Sequence, residues 1–155
     1  MSTPASLSRS RPSLSAYIER RLGRGSLTML RNWVLRSFGA GTFAQFWRYW
    51  NPVYGYLLTY FVYRPLRTVL PRPVAVWLTF LACGFCLHDL LGWMLARQIR
   101  APEMTVLFCL FGGGVVLTDA LRLDFSARPL PVRALANALL LIGAWWGMQL
   151  ILARF

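Results

Sequence analysis

The sequence predicts an all-α integral membrane protein, with three transmembrane helices preceded by amphipathic or interfacial helices. Three observations carry that prediction. The 155 residues are 57% hydrophobic yet bear a formal charge of +12, and a soluble domain of this size needs more polar surface than such a composition supplies. The charge is segregated: residues 1–72 hold eleven Arg and one acid, Glu19, whereas 73–155 hold six Arg against Asp89, Glu103, Asp119 and Asp124. Finally, three apolar stretches each approach the roughly 20 residues needed to cross hydrocarbon.

A basic half followed by an apolar half reads as a cytoplasmic arm on a membrane bundle. All 17 basic residues are Arg. Nucleic acid is not the expected partner of this charge, because the Arg side chains sit among aromatic residues of the kind that line membrane interfaces. The length allows three or four spans, too few to enclose a reaction chamber alone.

Taken in order, residues 1–15 are rich in Ser, Pro and Arg and read as a disordered tail. Residues 16–73 form an Arg- and aromatic-rich interfacial region. Within it, Leu27, Leu30, Val34 and Phe38 recur at three- and four-residue steps among Arg20, Arg21, Arg24, Arg31 and Arg36. That spacing predicts an amphipathic helix on an anionic leaflet, interrupted near Gly23–Gly25. Residues 43–63 hold ten of the 23 aromatic residues. The stretch is long enough to span, but Arg48, Asn51 and Pro52 stand at its middle. Arg at a span centre costs about 2.5–3.5 kcal/mol on insertion scales, so an interfacial or re-entrant helix is expected. Arg64, Pro65, Arg67, Pro71 and Arg72 then mark a return to the aqueous face.

Residues 74–155 form the three-helix bundle, with spans expected over Val74–Ala96, Met104–Leu121 and Ala134–Ala153. The Arg flanks place the N-terminus in the cytoplasm and the C-terminus outside, and the expected location is a bacterial inner membrane. Cys83, Cys86 and Cys109 lie within apolar segments and read as small buried hydrophobes. Neither a metal site nor a redox cofactor is indicated. The triplet Gly112–Gly114 marks a helix kink or a close helix crossing.

His88 is the single histidine, and an ionisable group deep in a span is a functional candidate by default. Gly84 and Gly92, four residues to either side, leave its helix face open to another helix or to a substrate. Small residues at that spacing also serve simply to pack helices. Asp89 points about 100° away from His88 on an α-helix, so it is expected to pair with an Arg or a backbone group elsewhere.

The run Phe46-Trp47-Arg48-Tyr49-Trp50-Asn51-Pro52-Val53-Tyr54, then Tyr63-Arg64-Pro65-Leu66, then the apolar stretch from Ala75 to His88, resembles the membrane-bound O-acyltransferase family. The likeness is to its sterol and diacylglycerol acyltransferase branch and covers about residues 43–100. Trp50 and Asn51 match the family's Trp-Asn motif, Tyr63 and Pro65 match its Tyr-x-Pro element, and His88 stands where its intramembrane His falls. Tyr54 replaces a motif His, and the chain is shorter than the family.

The resemblance implies transfer of an acyl group from a thioester donor, acyl-CoA or acyl-carrier protein, to a hydroxyl acceptor. His88 would act as general base and Asn51 would orient the donor or support the oxyanion. Trp50, Arg48 and Arg64 would bind or steer an anionic donor. The alternative is a non-catalytic accessory subunit that packs in a larger membrane complex. Either way the expected partners are the lipid bilayer and a second membrane protein, or further copies of this chain.

Overall fold

In the computed structural model, residues 11–154 are described, and every regular element among them is helical. Residues 1–10 of the expected tail lie outside the described residues. The first helix, α1 (Leu14–Leu22), begins where the Ser13 side chain accepts the Ala16 N–H, which satisfies one of the N–H groups that a helix start leaves without a partner. It ends at Gly23, and α2 (Ser26–Phe38) starts after Gly25. Both glycines hold positive φ, 85° and 84°, a region other residues seldom adopt. The interruption near Gly23–Gly25 is therefore a turn that needs glycine. On α2 the side chains of Leu27, Leu30 and Val34 are exposed on one stripe, as the amphipathic spacing predicts.

Residues 43–69 do not form one long helix. Helix α3 (Phe43–Trp50) stops at Asn51, whose extended backbone (φ −138°, ψ 93°) suits a residue ahead of proline. Pro52 occupies the first turn of α4 (Pro52–Leu57), and the Asn51 side chain accepts the Tyr54 N–H at 3.1 Å. A π-helical turn (Leu58–Tyr63) follows, then α5 (Arg64–Val69). Pro65 supplies the physical reason for the wide turn: it offers no N–H to the preceding turn and crowds the carbonyl four residues back. The Arg64 N–H bonds instead to the Thr59 carbonyl, five residues away.

This segment enters and leaves at one end of the bundle. At its start the Gly41 carbonyl accepts the Phe125 N–H at 2.8 Å; just past its end Arg72 pairs with Asp119. Between these points Tyr54 reaches the ring of His88. The segment is a bent run of short helices that packs against the bundle as a hairpin.

Three helices are long and apolar enough to cross a membrane: Arg72–Ala96, Glu103–Ala120 and Leu130–Leu152. The first comprises α6 (Arg72–Gly84), a π-helical turn (Phe85–Leu90) and α7 (Leu91–Ala96). The others are α8 (Glu103–Ala120) and α9 (Leu130–Leu152). α6 and α8 pack most extensively, and glycine permits it. A Cβ on Gly112 would lie 2.8 Å from the Phe80 Cβ, and one on Gly84 would lie 2.8 Å from the Thr105 Cα. Of the two readings of Gly112–Gly114, the close crossing holds; α8 runs unbroken through the triplet.

The core joins the hairpin to the bundle. Phe46 is fully buried, and Phe43, Phe111, Leu107, Val115 and Met148 surround it. Helix ends are closed by side chains from distant parts of the chain. Asn32 donates to the Leu22 carbonyl and Arg36 to that of Arg21, closing α1. Arg133 donates to Gly39, and Asn137 to Ala40 and Phe38, closing α2. Arg21 and Trp33 donate to the carbonyls of Arg48 and Trp50, closing α3. Carbonyls at a helix end need such partners where water is scarce.

Candidate functional site

A groove of about 310 Å³ runs between the first long helix, Arg72–Ala96, and the hairpin. Its wall on that helix includes Arg72, Val76, Thr79 and Cys83 of α6 and His88 of the π-helical turn. The last of these depends on backbone geometry. On a regular α-helix, residues five apart lie roughly 140° around the axis from each other, so His88 would face away from Cys83. The π-helical turn at Phe85–Leu90 takes up an additional residue, and this brings His88 onto the groove.

The imidazole of His88 stacks on Phe108 (centroids 5.0 Å apart, 27° between planes) and meets the edge of Tyr54 at 5.7 Å. Its Nε2 is buried and has no hydrogen-bond partner. Leaving a buried polar atom unpaired costs about 1–3 kcal/mol, which makes this atom a marked one. The indole N–H of Trp47, another residue lining the groove, is buried without a partner as well.

Asp89 turns the other way. Its carboxylate accepts the N–H groups of Met104 (3.2 Å) and Thr105 (2.7 Å) and the Thr105 hydroxyl (2.6 Å). It therefore caps the N-terminus of α8, where a negative charge complements the helix dipole. The backbone partner expected for Asp89 is this one. The two glycines flanking His88 divide the two roles open to them: Gly84 admits α8, whereas the space at Gly92 is open.

That open space belongs to a second cavity, of about 220 Å³, lined by Asp89, Gly92, Trp93, Arg100 and Met104 among others. The two cavities share one lining residue, His88. The groove extends to the Arg72–Asp119 end of the bundle. The second cavity lies at the opposite end, beside the loop between α7 and α8.

The groove wall carries more basic than acidic side chains. Arg21, Arg48 and Arg72 line it together with a single carboxylate, Asp119, and Arg72 binds that carboxylate at 2.8 Å. The Arg21 guanidinium stacks on Tyr17 at 3.8 Å and donates to the Arg48 carbonyl. Burial, reinforced by Arg48 nearby and partly offset by Tyr17, lowers its pKa from the usual arginine value. Arg21 and Arg48 thus present cationic groups without an acidic partner in the groove.

Of the residues singled out from the sequence, Arg48, Trp50, Asn51 and His88 line this groove. Arg64 does not line it; its guanidinium lies over the ring of Tyr60 at 4.3 Å. Trp50 is held by stacking on Phe46, with centroids 5.2 Å apart. The amide oxygen of Asn51 is committed to the Tyr54 N–H, so its Nδ2 is the group left to meet a ligand. Arg21, Trp47, Phe108 and the Arg72–Asp119 pair carry no motif that marks them in the sequence; only packing brings them here. Among the described residues no cluster of His, Cys, Asp and Glu suits a metal ion. Comparison with protein-family models, with curated proteins and with solved structures finds no match to this chain.

Proposed function

We propose that this chain is a membrane-bound acyltransferase of the O-acyl type, with His88 as general base. The observation that carries the reading is that two cavities, opening at opposite ends of the bundle, both have His88 in their walls and share no other lining residue. A donor and an acceptor approaching from opposite sides would find the same imidazole.

The cationic side chains that line the groove suit an anionic thioester donor such as acyl-CoA or acyl-carrier protein. Along the helix Arg72–Ala96, Arg72 and His88 are separated by roughly 24 Å at about 1.5 Å per residue, a span that an extended thiol-bearing arm can cover. The acceptor hydroxyl gives its proton to His88 Nε2 as its oxygen attacks the thioester carbonyl. The carbon–sulfur bond then breaks, and the departing thiolate takes the proton from the imidazolium. Asn51 Nδ2 would support the charge that develops on the carbonyl oxygen. Nε2 is buried, so a ring packed against His88 must shift for it to be reached, and an aromatic contact of that kind is worth about 0.5–1.5 kcal/mol. That is a small barrier beside the chemistry.

The test is turnover of labelled acyl-CoA by the chain purified in detergent. His88→Ala is expected to lower the rate by a factor of about 10² or more, the usual contribution of a positioned base. Equal turnover by wild type and variant overturns the proposal. The contacts of the His88 ring with Tyr54 and Phe108 favour a second reading, a non-catalytic subunit in which His88 packs against rings. On that reading the chain co-purifies stoichiometrically with a partner membrane protein and turns over no thioester by itself.

A further inference from the structure

The groove carries two buried polar atoms without partners, His88 Nε2 and Trp47 Nε1. The first ring nitrogen has been used above; the second has not. Trp47 is enclosed by aromatic rings: Phe43, Phe46, Phe80, Phe108 and Phe111 all lie within 6 Å of it, centroid to centroid. None of these rings offers an oxygen acceptor for an N–H. Phe108 packs against both Trp47 and His88, and all three residues line the same groove. Indole N–H is a donor only, and buried tryptophan ordinarily finds an acceptor. In a ligand cavity, a small number of placed polar groups fix the ligand's orientation.

We propose that Trp47 is a ligand-binding residue of this groove, its indole N–H donating a hydrogen bond to the carbonyl oxygen of the bound acyl group. The assignment rests on the acyl-transfer reading for the identity of the ligand. It pairs a donor at Trp47 for the carbonyl with an acceptor at His88 for the attacking hydroxyl. As the carbonyl oxygen gains negative charge, the same N–H bond strengthens, and this lowers the barrier rather than merely holding the substrate.

Two measurements test this. The first uses acyl-CoA labelled with carbon-13 at the thioester carbonyl, bound to purified His88→Ala protein so that no turnover occurs. The infrared carbonyl stretch is expected to shift to lower frequency on binding, and the shift is expected to disappear when Trp47→Phe is added. Trp47→Phe keeps an aromatic ring in the cage and removes the donor. A shift that survives Trp47→Phe overturns the proposal while leaving acyl transfer standing. Failure of the chain to bind the thioester overturns both. A Trp47-dependent shift in a protein that never turns over sinks the acyl-transfer reading and keeps the contact.

The second measurement is steady-state turnover of Trp47→Phe. The expected result is a fall in kcat of tenfold or more with KM changed less than twofold, and partial recovery in Trp47→His, which restores a ring N–H. A purely structural role for the indole would change the melting temperature and leave the kcat-to-KM split and the histidine rescue absent. That outcome overturns the proposal.

Discussion

Asn137 shows how much one buried polar side chain does here. It is 3% exposed and stands inside a helix that is otherwise apolar over most of its length. Its Nδ2 donates to the carbonyls of Phe38 and Ala40, where α2 ends and the hairpin begins, and to Arg133 one turn back on its own helix. Asn137→Leu keeps the volume and removes the donor. It is expected to cost about 1–3 kcal/mol, because the carbonyls left behind stay buried. Thermal unfolding in detergent reads this as a lower Tm, and an unchanged Tm would mean that water reaches those carbonyls. From the sequence, an Asn in an apolar span signals only that some partner exists. Which carbonyls receive it depends on chain nearly a hundred residues away, and no local pattern encodes that.

At the scale of elements, the two departures from α-helical geometry have different legibility. The π-helical turn at Leu58–Tyr63 has a visible cause in Pro65, since a missing N–H must be absorbed in the preceding turn. The turn at Phe85–Leu90 has no proline and no glycine beyond Gly84. Yet it is the one that carries His88 onto the groove. The α6–α8 crossing permits a sharper comparison. Gly112→Ala would place a Cβ 2.8 Å from that of Phe80, whereas Gly113→Ala meets nothing within 4 Å. The first is expected to force the helices apart and lower the Tm. The second is expected to be neutral or to raise stability by up to about 1 kcal/mol through helix propensity. Equal Tm changes for the two would refute the crossing described here. Adjacent glycines look alike in sequence; the phase of α8 distinguishes them.

The whole molecule has a polarity that can be tested directly. Arg72, Asp119 and the loop between α8 and α9 lie at one end, with the hairpin opening there too. The loop holding Arg97 and Arg100 lies at the other. Three membrane-crossing helices would put the two ends on opposite faces, and from the Arg excess we propose that the hairpin end is the cytoplasmic one. With the native cysteines replaced, Gln98→Cys is expected to react with an impermeant maleimide from outside intact cells. Ser15→Cys is expected to react only in inverted vesicles. The reverse pattern would overturn the assigned orientation.

Composition and spacing were enough to establish an all-helical chain with three long apolar helices, the break at Gly23–Gly25, and a stretch around Asn51–Pro52 that does not run straight through. These are local properties: hydrophobic length, the φ that glycine allows, and the bond that proline lacks. The resemblance of the Trp50-Asn51 and His88 motifs directed attention to residues that do share one groove. Tertiary structure alone decided that Arg64 lies outside that groove, that Asp89 serves the end of α8, and that Trp47 stands unpaired beside Phe108. It alone decided that His88 stands in the walls of two cavities. Each of these rests on side chains far apart in sequence being brought within a few ångströms of one another. Helix phase and interhelix packing determine that approach, and neither can be read from any single segment.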